Sequence, residues 1–102
     1  MNLKTFTEDL LEVIEFEKEK EAVKLLSNAY IQKAKIKNQI LQIELENIDP
    51  ESRASIEKQQ MKIAKQNEQY KDLLMQLELI RAGINALETF LNIYEKSKQE
   101  VI

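Results

Sequence analysis

The sequence predicts an all-α protein, an antiparallel coiled-coil hairpin of two long helices that is expected to dimerise into a four-helix bundle. Three observations predict it. Glycine and proline occur once each in 102 residues, and the turns of β-rich or loop-rich folds depend on both. From Ile56 to Leu91 an apolar residue recurs at every seventh position: Ile56, Ile63, Tyr70, Leu77, Ile84 and Leu91. The positions three further on, Gln59, Gln66, Leu73, Ile80, Leu87, Tyr94 and Val101, complete an a/d heptad pattern, polar in its first two layers and apolar afterwards. A strict seven-residue period implies a helical partner along the whole seam. Finally, Asn47-Ile48-Asp49-Pro50-Glu51-Ser52 is the one clear break, and it divides the chain into two helical halves of a single domain, 1–102.

The first helix is expected over about 6–47. Thr5-Phe6-Thr7-Glu8 spells a capping box with Thr5 as cap, while Thr7 as cap would let Phe6 and Leu11 form a hydrophobic staple. One apolar stripe runs Val13, Phe16, Val23, Tyr30, Ala34, Leu41, Leu45, Ile48. The weakest stretch is Glu17 to Glu21, five consecutive charges. Because strong helix formers compose it, it reads as a solvated face of a continuous helix, with a kink or short linker as the alternative.

The turn is expected over 47–50 and the second helix over about 50–98. Asp49 can accept from the orphan amides of a new helix, Pro50 suits the first helical position, and Glu51 complements the positive end of the dipole. Folding the chain there joins residues whose numbers sum to about 97, so that Leu41 meets Ile56, Ala34 meets Ile63, Phe16 meets Ile80, Val13 meets Ile84 and Phe6 meets Leu91. The end near the turn should be polar and loosely packed, since Gln59 and Gln66 lie on its seam.

The second helix carries another apolar row, Met75, Leu79, Ala82, Ala86, Thr89 and Ile93, on the face away from the first. A hairpin needs one apolar face per helix, so this row requires a cover. Met75, Leu79, Ala82, Ala86 and Ile93 are therefore the candidate interaction face. Its expected partner is a second copy of the chain, giving the four-helix bundle, or another protein; a bent-back N-terminal segment is the alternative cover.

Charge is nearly balanced at −3, so there is no global basic excess to announce nucleic acid and no acidic tail. Within the half around the turn, Lys33, Lys35, Lys37, Arg53, Lys58, Lys62, Lys65 and Lys71 form a basic band that could contact phosphate backbones. The band lacks aromatic platforms for bases apart from Tyr30 and Tyr70, which lie on seams. A basic helical arm contacting nucleic acid is thus the second functional reading.

Histidine and cysteine are both absent, which removes the commonest general base, the thiolate nucleophile and every nitrogen or sulfur metal ligand set of side chains. No catalytic, cofactor-binding or metal-binding residue is assigned. Glu12-Val13-Ile14-Glu15 and Glu46-Asn47-Ile48-Asp49 resemble the paired-acid magnesium motif of the all-α nucleoside triphosphate pyrophosphohydrolases, a remote third reading. A continuous first helix would hold the two pairs about 45 to 50 Å apart. No signal peptide or membrane span is readable, so the expected location is cytoplasmic, with export by a route needing no cleaved signal left open.

In size and hairpin form the chain is similar to the small helical proteins exported by type VII secretion, although Asp49-Pro50 stands where that family has a Trp-x-Gly turn. Flagellar-type export chaperones and phage-encoded inhibitors share the form. The functional expectation is a noncatalytic protein-protein interaction module, an adaptor, chaperone-like or inhibitor protein, working through coiled-coil surfaces.

Overall fold

A computed structural model describes the backbone of residues 2–100 and the side chains of residues 2–97; Val101, the last position of the predicted seam, lies outside them. The described residues form no strand and four helices, α1 (Leu3–Glu15), α2 (Glu19–Asn47), α3 (Ile56–Gln66) and α4 (Glu68–Glu100). They build a rod of 60 × 25 × 17 Å.

The first helix is not continuous. α1 ends in a left-handed cap in which the Glu17 amide donates to the Ile14 carbonyl at 3.4 Å and the Lys18 amide to the Val13 carbonyl at 3.0 Å, the paired bonds of a Schellman motif. Glu17 holds the position where such caps prefer glycine, at φ 52°. A non-glycine residue there costs about 1 to 2 kcal/mol. Burial of the apolar face of α1 offsets it, since Phe6 and Val13 are buried and each such side chain contributes about 1.5 to 3 kcal/mol. The Lys18 ammonium closes the bend by pairing with the Glu12 carboxylate at 2.8 Å. The start of the five-charge stretch is therefore a hinge, and α1 folds back against both α2 and α4. Its cap is Asn2, whose side chain accepts from the Lys4 amide at 2.9 Å, rather than Thr5 or Thr7.

The turn is longer than expected and the second helix is split. Asp49 starts a turn, not a helix: its carboxylate accepts from the Glu51 amide and its carbonyl from the Ser52 amide. Residues 48–55 connect α2 to α3, whose cap is Ser55, accepting from the Lys58 amide at 3.2 Å. Gln59, expected as a polar seam residue, instead ties this connection down. It accepts from the Asp49 amide at 2.8 Å and donates to the carbonyls of Asp49 and Ala54, both at 3.1 Å. Asn67 then interrupts the predicted second helix, its side chain accepting from the Tyr70 amide at 3.1 Å to begin α4.

α2 and α4 run antiparallel, with Tyr30 donating to Glu88 near one end and Gln60, on α3, donating to Glu44 near the other. The a/d seam of the second half is buried from Ile63 to Leu87, with Ile63, Tyr70, Leu73, Leu77, Ile80, Ile84 and Leu87 all in the core, whereas Ile56 is exposed and Leu91 and Tyr94 are half-buried. The register against the first half differs. α2 buries Ala22, Ala29, Ile36 and Ile40, while Phe16, Val23, Tyr30, Ala34, Leu41 and Leu45 are exposed. The expected meetings of Leu41 with Ile56, Ala34 with Ile63 and Phe16 with Ile80 do not occur. Small residues decide this rotation. Ala22 packs with Val13 and Leu87, so alanine leaves room for α1 where Val23 or Tyr30 would not. Phe6 lies over Gly83, its ring in the space a β-carbon there would occupy, and not against Leu91.

Candidate interaction surface

With this core complete, large apolar side chains remain at the surface in rows. On α4, Met75, Leu79 and Ile93 are 58%, 53% and 60% exposed; Ala82 and Thr89 between them are exposed, and Ala86 is half-buried. The structure thus brings the five predicted face residues onto one open side of α4. α1 reaches only its edge. Ile14 joins Asn85, Ala86, Thr89, Phe90 and Ile93 around an open groove of about 450 Å³. Leu11, one turn before Ile14, is exposed.

A second row was missed as a surface. Val23, Tyr30, Leu41 and Leu45 of α2 were expected inside and are 45% to 72% exposed. A signal for the alternative existed, because Ala22, Ala29, Ile36, Ile40 and Ile43 repeat at intervals of seven, seven, four and three and form an equally good helical stripe. α2 thus has two apolar faces, and only packing selects between them.

The electrostatic setting of the two rows differs. Between Leu79 and Tyr94 the only charged residues are Arg81 and Glu88. Glu88 is engaged by the Tyr30 hydroxyl of α2, and Arg81, seven residues earlier and so on the same side, pairs with Glu78 at 3.4 Å. Glu78, one turn from both Met75 and Ala82, is therefore the charge that flanks the outer row, and it is paired with Arg81. The Tyr30 hydroxyl is held above the usual phenol range, first by its hydrogen bond to Glu88.

The basic band is spread over every part of the turn half: Lys33, Lys35 and Lys37 on α2, Arg53 in the connection, Lys58, Lys62 and Lys65 on α3, and Lys71 on α4. Lys33 lies over the Tyr30 ring, 5.9 Å from its centroid. Lys58 and Lys62 border a polar hollow of about 530 Å³ with Asp49, Gln59, Gln66 and Asn67. Of the paired acids, Glu12 is bound to Lys18, whose ammonium is held above its usual range by that hydrogen bond and charge. No group of three or more Asp or Glu among the described residues is placed to hold a metal ion. Nor is any helix among them long and apolar enough to cross a membrane.

Compared with protein-family models, with curated proteins and with solved structures, the chain matches none.

Proposed function

We propose that the protein is a noncatalytic protein-protein interaction module that works by laying exposed apolar helix faces against helices of its partners. One observation carries this reading. After the internal core is filled, α2 and α4 still display rows of large apolar side chains, Val23, Tyr30, Leu41 and Leu45 on one and Met75, Leu79 and Ile93 on the other. Contiguous apolar patches of this kind on a small domain mark interaction sites. Spacing by whole helical turns suits a helical occupant, which reads such a row through side chains at three- and four-residue intervals. The antiparallel pair of α2 and α4 supplies two members of a coiled-coil bundle, and a partner supplies the rest. An adaptor, chaperone-like or inhibitor role would each use such a surface.

Affinity capture from the native host tests this, comparing the wild-type chain with Leu41→Glu/Leu45→Glu and with Leu79→Glu. Glutamate is a good helix former, so the folds should persist by circular dichroism. One of the two variants should lose a defined partner that the wild type retains in high salt, since apolar burial is not screened. A wild-type chain that sediments as a monomer at high micromolar concentration and captures nothing overturns the reading.

A further inference from the structure

We infer that the outer face of α4 pairs with the same face of a second copy, antiparallel, about a two-fold axis passing beside residue 84. The inference rests on the proposed function and names the occupant of one of its two faces. The row is self-complementary about that point. Met75 and Ile93, Leu79 and Thr89, Ala82 and Ala86 are each equidistant from residue 84. Read from either end, the pattern runs from a large side chain, Met75 or Ile93, through Leu79 or Thr89 to alanine. Two such rows placed antiparallel set Met75 against the partner's Ile93, Leu79 against the partner's Thr89, and alanine against alanine at the centre, where helix backbones can approach closely. An isologous interface needs this property, because each patch must complement itself.

Knob and hole are both present, on opposite sides of the axis. The groove lined by Ile14, Ala86, Phe90 and Ile93 lies on the C-terminal side of residue 84. The protruding Met75 and Leu79 lie on the N-terminal side at matching distances. The two-fold operation therefore seats Met75 and Leu79 of each copy at the groove of the other, twice per dimer. Leu11, one turn before Ile14 on α1, is exposed as well. Of the three charges between Met75 and Ile93, Glu88 is held by Tyr30 of α2, and Glu78, at the edge of the row, is paired with Arg81.

Size sets the strength. From Met75 to Ile93 the row is about 27 Å long, and with the edge of α1 it is about two helices, roughly 20 Å, wide. That gives on the order of 500 Å² per copy, at the lower limit for a specific interface. Pairing is therefore expected at micromolar rather than nanomolar concentration. The same face of α1 and α4 from two copies makes a layered helical bundle, with the exposed row of α2 left free on its outside.

The chain has no cysteine, so single cysteines report the geometry directly. In the antiparallel pair the two residues 85 are offset by about 3 Å along the helix axis, and the two residues 75 by about 27 Å. A short bis-maleimide should join Asn85→Cys into a covalent dimer and leave Met75→Cys uncoupled. Leu79→Glu should convert the wild-type dimer to monomer by sedimentation while its helical circular dichroism is retained. Coupling at both positions would show a parallel pair and overturn the inference, as would a dimer indifferent to Leu79→Glu. A wild-type monomer that captures a partner through Leu41 and Leu45 would overturn the pairing while leaving the interaction-module reading intact.

Discussion

The ring of Phe6 occupies the space that a β-carbon on Gly83 would need, so the single glycine of the chain is the socket for α1. Gly83→Val should expel the ring and detach α1. The helix-propensity gain from removing glycine is at most about 1 kcal/mol, while overpacking a buried site costs about 1 to 3 kcal/mol, so the net effect is destabilising. Denaturant unfolding gives the size, and amide exchange should accelerate over residues 3–15. Adding Phe6→Ala should recover part of the loss, a non-additivity expected of residues in contact. Strict additivity in the double mutant would show that the two do not touch.

Glu17 holds the hinge at φ 52°, where glycine has no penalty. Glu17→Gly should therefore raise stability by roughly 1 kcal/mol, and Glu17→Val should lower it. Thermal melting of the two variants checks the order. If the valine variant melts at or above the glycine variant, α1 and α2 are joined in some other way.

Three hydrogen bonds from one side chain, that of Gln59, hold the connection between α2 and α3. At about 0.5 to 1.5 kcal/mol each when made, and with solvent able to replace them at an exposed site, Gln59→Ala should cost about 1 kcal/mol. The local effect should be clearer than the global one. Proteolytic nicking within 48–55 should increase while the core amides of α4 stay protected; unchanged cleavage would mean that the connection is ordered by other contacts.

Tyr70 predicts an alkaline limit. Burial, followed by the charge of Glu44 and a hydrogen bond to it, raises the phenol above its ordinary 10.0. A group whose folded value is raised contributes stability that is fully present below the unfolded value and is lost as pH rises through the folded one. Stability should fall above about pH 10 as the buried ring is driven to ionise. Tyr70→Phe should shift alkaline unfolding to higher pH, followed by circular dichroism; a midpoint that does not move would place the alkaline weakness elsewhere, for instance in the lysines.

How much was legible can be judged residue by residue. The seam from Ile63 to Leu87 was readable because a seven-residue period sustained over nearly seven turns admits one face only, and all of its apolar members in that span are buried. The face of α2 was not, because two apolar rows compete there and the choice depends on α1, which packs across a distance the local pattern does not encode. The five-charge stretch marked where a hinge could lie, but not that it would form, for a related reason. Glu17 carries no mark of a left-handed cap, and its conformation is imposed by the burial of Phe6 and Val13. Asn67 was visible as a capping type but lay within an unbroken heptad count, so the period outweighed the cap. The row Met75 to Ile93 could be found because its surplus over what a hairpin needs is a matter of counting faces.

The bend at Glu17 also sets an order of events during synthesis. Phe6 is added long before its socket exists, since Gly83 follows 77 residues later, a delay of about 4 to 15 s at ordinary elongation rates. Throughout that interval the nascent segment has its apolar side chains uncovered, and α2 can only wait for α4. What closes α1 is made after α1 itself, so a ribosome stalled before residue 83 would hold out a bare amphipathic helix to whatever chaperone is near.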